Sequence, residues 1–160
     1  KKMASTVTAA TMTVTVSESI TLNGKNQGST NTLTLPGIVN ISKRIVNVPN
    51  SEVEIIAMGT AVGSGTFNEA DVLYIRITNL DDTNHVGLIF KNENDDEFGV
   101  KLDKGQSFIY NGDLAGGVVD TMDAQDGGAD LAANTFGDLV NVTAYADTAA
   151  CDIEVFVACD

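Results

Sequence analysis

The chain has 160 residues, 9 Lys+Arg against 22 Asp+Glu, and a formal net charge of −13. A single domain of this length buries roughly two-thirds of its unfolded surface, enough for a core without metal or disulfide support. With 43% hydrophobic residues the chain is not wholly disordered, and with no apolar run near 20 residues it is not a helical membrane protein. The acidic balance repels phosphate backbones and anionic lipid, which argues against a nucleic-acid or membrane partner.

Thr and Ser interrupt every Val and Ala in the opening stretch KKMASTVTAATM, so the two lysines do not head a signal peptide. Trimming of a longer secreted precursor before Lys1 stays open. Residues Lys1–Thr11 hold Val7 as their only branched aliphatic and cannot bury enough surface to fold alone. Two readings follow: a frayed terminus in a monomer, or an arm that orders against a neighbour by adding a strand to its sheet.

Alternation with period two then governs nearly the whole chain, and no stretch of helical length carries a 3.6-residue period. Met12, Val14, Val16, Ile20 and Leu22 alternate with Thr and Ser, and Glu18 interrupts the apolar set, so the segment is two strands or one bent strand. Asn23-Gly24 predicts a type I′ hairpin turn, since both central residues need positive φ. Strands are expected at Thr30–Leu35, ended by Pro36-Gly37, at Ile41–Val48, ended by Pro49-Asn50, and at Val53–Met58, ended by a Gly-rich run.

The middle of the chain is the clearest. VLYIRITNL (72–80) sets Leu73, Ile75 and Ile77 on one face and Tyr74, Arg76 and Thr78 on the other. HVGLIFK (85–91) points Val86, Leu88 and Phe90 inward, FGVKL (98–102) points Phe98, Val100 and Leu102 inward, and SFIYN (107–111) pairs Phe108 with Tyr110. Residues 112–138 are rich in Gly, Asp and Ala and read as a long surface excursion with one short strand at Gly117–Met122. Leu139–Ala146 and Asp152–Ala158 close the chain as strands. These lengths and spacings are those of an all-β protein, an antiparallel sandwich or barrel.

Chemistry-bearing patterns are sparse. His85 is the only histidine and sits at a strand end beside a polar turn, and no GxSxG elbow or activated cysteine accompanies it, so the chain does not read as an enzyme. Asn92, Asn94 and Asp96 repeat at the spacing of a calcium loop, but Glu97 stands where the loop needs glycine and Asp103 where it needs the bidentate glutamate. Asp120, Asp123, Asp126 and Asp130 add oxygen ligands in the 112–138 segment, where a solvated acidic loop is the plainer reading. Structural zinc lacks its His and Cys set, and no cofactor motif is present. Paired carboxylates for glycoside hydrolysis lack the aromatic platforms that accompany them, and a carbohydrate-binding sandwich would lack tryptophan for stacking. Asn40-Ile-Ser and Asn141-Val-Thr match the glycan acceptor pattern at about chance frequency. Cys151 and Cys159 share one side of the last strand; eight residues of strand span roughly 26 Å, far beyond a disulfide's reach of about 7 Å. They are buried thiols, with pairing to the same residue of another subunit as the alternative.

The block VLYIRITNLDDTNHVGLIFKNENDDEFGVKLDKGQSFIYNG resembles a pattern in small virion structural proteins of tailed phages, especially marine ones. Its parts are a strand ending in ITNLD (Ile77–Asp81), a polar turn, a strand, and the hairpin F-x-V-K-L-x-x-G-x-S-F (Phe98–Phe108). The tail CDIEVFVA (151–158) is similar to the way such chains end. The resemblance covers about 60 of the 160 residues and carries no catalytic residue. It implies a jelly-roll or sandwich protein that decorates or cements a capsid. On this reading residues 1–16 form an N-terminal arm with the first strand, and residues 17–160 form a single, jelly-roll-like β-sandwich. Val7, Met12, Val14 and Val16 are the candidate assembly residues. The partners are further copies of the chain, as a trimer or similar closed ring, and the major capsid protein, on the outer capsid surface. The alternative is a secreted or surface filament built by N-terminal strand exchange; a small ligand- or glycan-binding module is a third reading from a different class.

Overall fold

A computed structural model describes residues 7–60, 63, 65–111, 120–121 and 137–160. The strands in chain order are β1 (Ala10–Ser17), β2 (Thr21–Leu22), β3 (Lys25–Asn26), β4 (Thr30–Ile38), β5 (Asn40–Val48), β6 (Val53–Gly59) and β7 (Thr66–Asn68). After a 3₁₀ turn at Glu69–Asp71 come β8 (Val72–Asn79), β9 (Val86–Asn92), β10 (Glu97–Leu102), β11 (Ser107–Asn111), β12 (Asp120–Thr121), β13 (Gly137–Ala146) and β14 (Cys151–Cys159). The fold is an all-β sandwich, as the alternation predicts.

One sheet has the order β10-β9-β13-β6-β7, with β12 beside β13; the facing sheet has the order β11-β8-β14-β5. All pairs are antiparallel except the short parallel contact of β6 with β7. From β5 onward most connections change sheet; among the described strands β6–β7, β9–β10 and β12–β13 are the sequence neighbours that pair within one sheet. The other sequence neighbours therefore lie across the core from each other. That core takes Ile75 and Ile77 from β8, Leu88 and Phe90 from β9, and Ile153, Val155 and Val157 from β14. Four aromatic rings close one side of the sandwich: Phe90 lies 4.7 Å from Phe98, 5.1 Å from Phe108 and 5.5 Å from Tyr110, centroid to centroid. These are within the range where offset and edge contacts add to simple burial. Phe90 and Phe98 come from one sheet, Phe108 and Tyr110 from the other, so the cluster ties the two together.

β1 and β4 stand apart as a two-stranded ribbon, registered from Met12↔Leu35 to Ser17↔Thr30. Its tip is the β2–β3 hairpin, with Asn23 at φ 50° and Gly24 at φ 74°. Both values lie in the left-handed region, so the predicted type I′ turn is present.

Two expectations differ from this structure. Pro36-Gly37 does not end its strand: β4 runs on to Ile38, and the register slips between Met12↔Leu35 and Ala10↔Ile38. Gly37 at φ 85° absorbs the extra residue in a bulge, a site where proline is tolerated because it need not donate to the ladder. Leu73 does not share the face of Ile75 and Ile77. The register between β8 and β14 skips it, passing from Ala158↔Tyr74 to Cys159↔Val72, and Leu73 joins Tyr74 in a second apolar cluster outside the sandwich. β1 runs from Ala10 to Ser17 and is paired with β4. Of the 112–138 excursion, β12 falls inside the expected Gly117–Met122 strand and pairs with β13; Asp123, Asp126 and Asp130 lie outside the described residues.

Candidate interaction surface

The ribbon lies against the outer face of the β11-β8-β14-β5 sheet. Along β8 and β14, alternation sends Tyr74, Arg76, Phe156 and Ala158 outward, away from the main core. The ribbon covers the lower part of this face: Leu35 and Ile38 are buried with Leu73, Tyr74 and Ala158, and Met12, Val14, Leu33 and Phe156 pack around them. Tyr74 meets Phe156 edge-on at 6.0 Å. Where the ribbon covers them, at residues 72–75 and 157–159, the two central strands are buried on both faces, which suits the unbroken apolar runs VLYI and VAC.

Beside the buried contact runs a groove of about 380 Å³, walled by Met12 and Val14 on the ribbon and by Tyr74, Arg76, Ile109 and Phe156 on the sheet. Arg76 is fixed in its floor. Its guanidinium donates to Glu154 Oε1 at 2.5 Å and to Thr78 Oγ1 at 2.5 Å, and lies 5.8 Å over the Phe156 ring. Lys43 Nζ reaches the other Glu154 oxygen at 3.1 Å. Hydrogen bonding from Arg76, then from Lys43, holds the Glu154 carboxyl below its ordinary range. Burial pushes the Tyr74 hydroxyl up, partly offset by Arg76.

Past the groove the ribbon carries its apolar side chains beyond the sheet that covers them. Val16 is exposed, and at the tip Ile20 is 54% and Leu22 60% exposed. Hydrogen bonds of the tip run between its own two arms: Glu18 N donates to Ser29 O at 2.8 Å, Gln27 N to Ile20 O at 2.9 Å, and Ser29 Oγ to a Glu18 carboxylate oxygen at 2.8 Å. The same sheet face is bare on the opposite flank. On β5, Ile41 is 56% and Ile45 65% exposed, either side of Lys43. β5 pairs with β14 in unbroken register from Cys159↔Asn40 to Cys151↔Val48 and is the edge of its sheet.

The candidate assembly residues therefore divide. Met12 and Val14 face their own sheet, whereas Val7 and Val16 are exposed. Ile20 and Leu22 belong to the apolar alternation of the sequence, but neither they nor Ile41 and Ile45 are among its candidate assembly residues. Their only signal was a large aliphatic at each position of a strand with no second apolar face to receive it.

The other candidates occupy ordinary structural positions. His85 Nδ1 lies 3.5 Å from Asp147 Oδ2 at the rim of the sandwich. In the 92–97 tip, Asn92 is buried and its Oδ1 accepts from the backbone N–H of Asn94 at 3.0 Å and of Asp96 at 2.8 Å, while Nδ2 donates to Asp96 Oδ2 at 2.9 Å. The oxygen a cation would need is spent on shaping the turn. Among the described residues no group of three or more His, Cys, Asp or Glu side chains converges, and no helix is long and apolar enough to cross a membrane. Cys151 and Cys159 are both buried free thiols. Burial pushes Cys159 up to about 11, aided by the nearby Asp71 and Asp160 carboxylates.

Two features escaped the sequence. Asn79, fully buried, joins the two halves of the ITNLD and F-x-V-K-L block: Nδ2 donates to Asn84 O at 3.0 Å and Leu102 O at 3.1 Å, and Oδ1 accepts from Asp81 N at 2.9 Å. Arg44 points inward from β5 and donates to Ile55 O. It lines a polar cavity of about 250 Å³ with Asn40, Ser42, Thr66, Asn68 and Asp71. An inward-pointing charge on an edge strand restrains indiscriminate pairing of that edge.

Comparison of the chain with protein-family models, curated proteins and solved structures finds no match.

Proposed function

We propose that this chain is a non-enzymatic structural subunit of a tailed-phage virion, a decoration or cement protein on the outer capsid surface that contacts further copies of itself and the major capsid protein. The observation that carries the reading is the ribbon. It is a two-stranded extension of the sandwich whose apolar side chains continue through Val16, Ile20 and Leu22, which are exposed. A chain acting alone gains nothing by keeping such side chains in water, whereas a subunit that contacts neighbours does.

Three further points support it. The order β10-β9-β13-β6 facing β11-β8-β14-β5 is the winding we read as a jelly roll, two Greek keys closed over one core. The central block resembles small virion structural proteins. A net charge of −13 keeps densely displayed subunits from adhering to neighbouring particles.

The filament alternative needs a strand free to leave its own chain, and β1 is already paired with β4 from Ala10↔Ile38 to Ser17↔Thr30. The test is to strip heads of the protein, measure the temperature at which they release DNA, and add the purified chain back. Restored heat resistance is expected. Heads that neither rebind the chain nor lose heat resistance on stripping would overturn the reading.

A further inference from the structure

We infer that copies of this chain bind each other head to tail, the β2–β3 ribbon tip of one copy seating on the exposed outer face of β5 in the next. The inference deepens the proposed structural role by naming one partner, a second copy, and both surfaces of the contact.

The argument begins with an interface the molecule already has. Within one chain, the ribbon lays a stripe of alternating aliphatics, Met12, Val14, Leu33 and Leu35, on the outer face of the β11-β8-β14-β5 sheet. The packing covers β8 and β14 and stops. Both of its components continue past that limit. The ribbon's stripe runs on through Val16, Ile20 and Leu22, and the sheet's outer face runs on to Ile41 and Ile45 of β5. Each remnant is the kind of surface its own chain has paired with the other kind. A second copy supplies what each lacks, and the contact would extend an existing packing mode rather than require a new one.

Shape and charge favour this occupant. The tip is held by a type I′ turn and by cross-strand hydrogen bonds, so it is ordered before it docks and loses little entropy on binding. Its one acidic side chain, Glu18, bonds to Ser29 within the tip; the one basic side chain of the β5 face, Lys43, bonds to Glu154. The tip also carries Lys25, and β14 carries Asp152 beside β5, both exposed, so each surface presents both signs of charge even though the chain as a whole is strongly acidic. β5 itself is unbulged over its pairing with β14, which gives a receiving face with no break in its side-chain alternation. Because the two surfaces differ, the contact is heterologous, and successive copies close into a ring when the rotation permits. Tip-to-tip or β5-to-β5 contacts would instead be isologous.

The difference between the two geometries makes the test. Leu22→Cys and Ile45→Cys are made singly in the full chain, whose own cysteines are buried. Each is exposed to mild oxidant alone and after mixing. Disulfide-linked dimers are expected from the mixture and not from either variant alone. Dimers from Leu22→Cys alone, from Ile45→Cys alone, or no dimers at any concentration up to the millimolar range would each overturn the proposal. A second measurement guards against chance cross-linking. The double variant Ile20→Glu/Leu22→Glu should raise the dissociation constant of self-association by about tenfold or more, since each side chain loses an aliphatic burial. It should leave the unfolding temperature unchanged, because both side chains are exposed in the isolated fold. Self-association that is indifferent to this change refutes the contact. Tip-dependent cross-links in solution from a chain that never binds heads would leave this inference standing and remove the virion role; a chain that cements heads as an unlinked monomer would do the reverse.

Discussion

Glu154 shows how one side chain couples the ribbon side of the molecule to solution conditions. It sits on the outer face of β14 and is bonded by Arg76 at 2.5 Å and Lys43 at 3.1 Å. Its folded pKa lies below the ordinary carboxylate value, so the unfolded chain takes up the proton first as pH falls. The stabilisation is complete above about pH 5 and is lost as pH drops through the ordinary range near 4 and on towards the folded value. Asp81 acts the same way, its carboxyl held down by the backbone N–H groups of Asn84 and Thr83. Glu154→Gln should lower stability at neutral pH, because Arg76 loses its charged acceptor, and should flatten the acid limb of a stability–pH curve without abolishing it. Urea titrations at several pH values check this; an acid limb of unchanged slope in the variant would show that Glu154 is solvated in the native state. Gly37 acts at the same scale. Its left-handed φ lets β4 carry one extra residue and still bring Leu35 and Ile38 onto the sheet.

At the scale of the element, the ribbon and the sandwich are distinct packing units that share a sheet. Leu35 is the ribbon's only leucine that is completely buried, and its neighbours, Ile38, Leu73, Tyr74 and Ala158, are those of the outer cluster. Leu35→Ala removes the centre of that contact, at a cost of about 2–5 kcal/mol if the cavity does not collapse. The loss should be local. Amide exchange of β1 and β4 should accelerate strongly while the amides of β13, which packs in the other sheet, change little. Uniform acceleration throughout would mean that ribbon and sandwich open together. The hairpin turn and the strand limits at this scale were legible in the sequence, because Asn23-Gly24 and the polar tips act on their immediate neighbours. The continuation of β4 through Pro36-Gly37 was not legible, since a proline-glycine pair ends a strand or bulges it depending on what lies opposite.

For the whole molecule, the inter-sheet aromatic cluster is the counterpart of the ribbon contact. Phe90 is fully buried and touches rings from both sheets. Phe90→Ala should cost about 3–5 kcal/mol and, unlike Leu35→Ala, should lower the midpoint of a single cooperative transition seen equally by probes in both sheets. Separate transitions would contradict the single shared core.

The sequence by itself determined the all-β class, most strand positions, the type I′ turn and the inward sets of β9 and β10. Each of these follows from short-range rules, side-chain alternation and turn chemistry, that act within a few residues. Tertiary structure alone decided which strands lie side by side, that one end of β8 and one end of β14 are buried on both faces, and that Leu73 turns outward at a bulge. It alone decided that Met12 and Val14 are covered while Ile20, Leu22, Ile41 and Ile45 are bare. Alternation specifies that a face is apolar, but only the three-dimensional arrangement specifies whether the chain itself has anything to put against it.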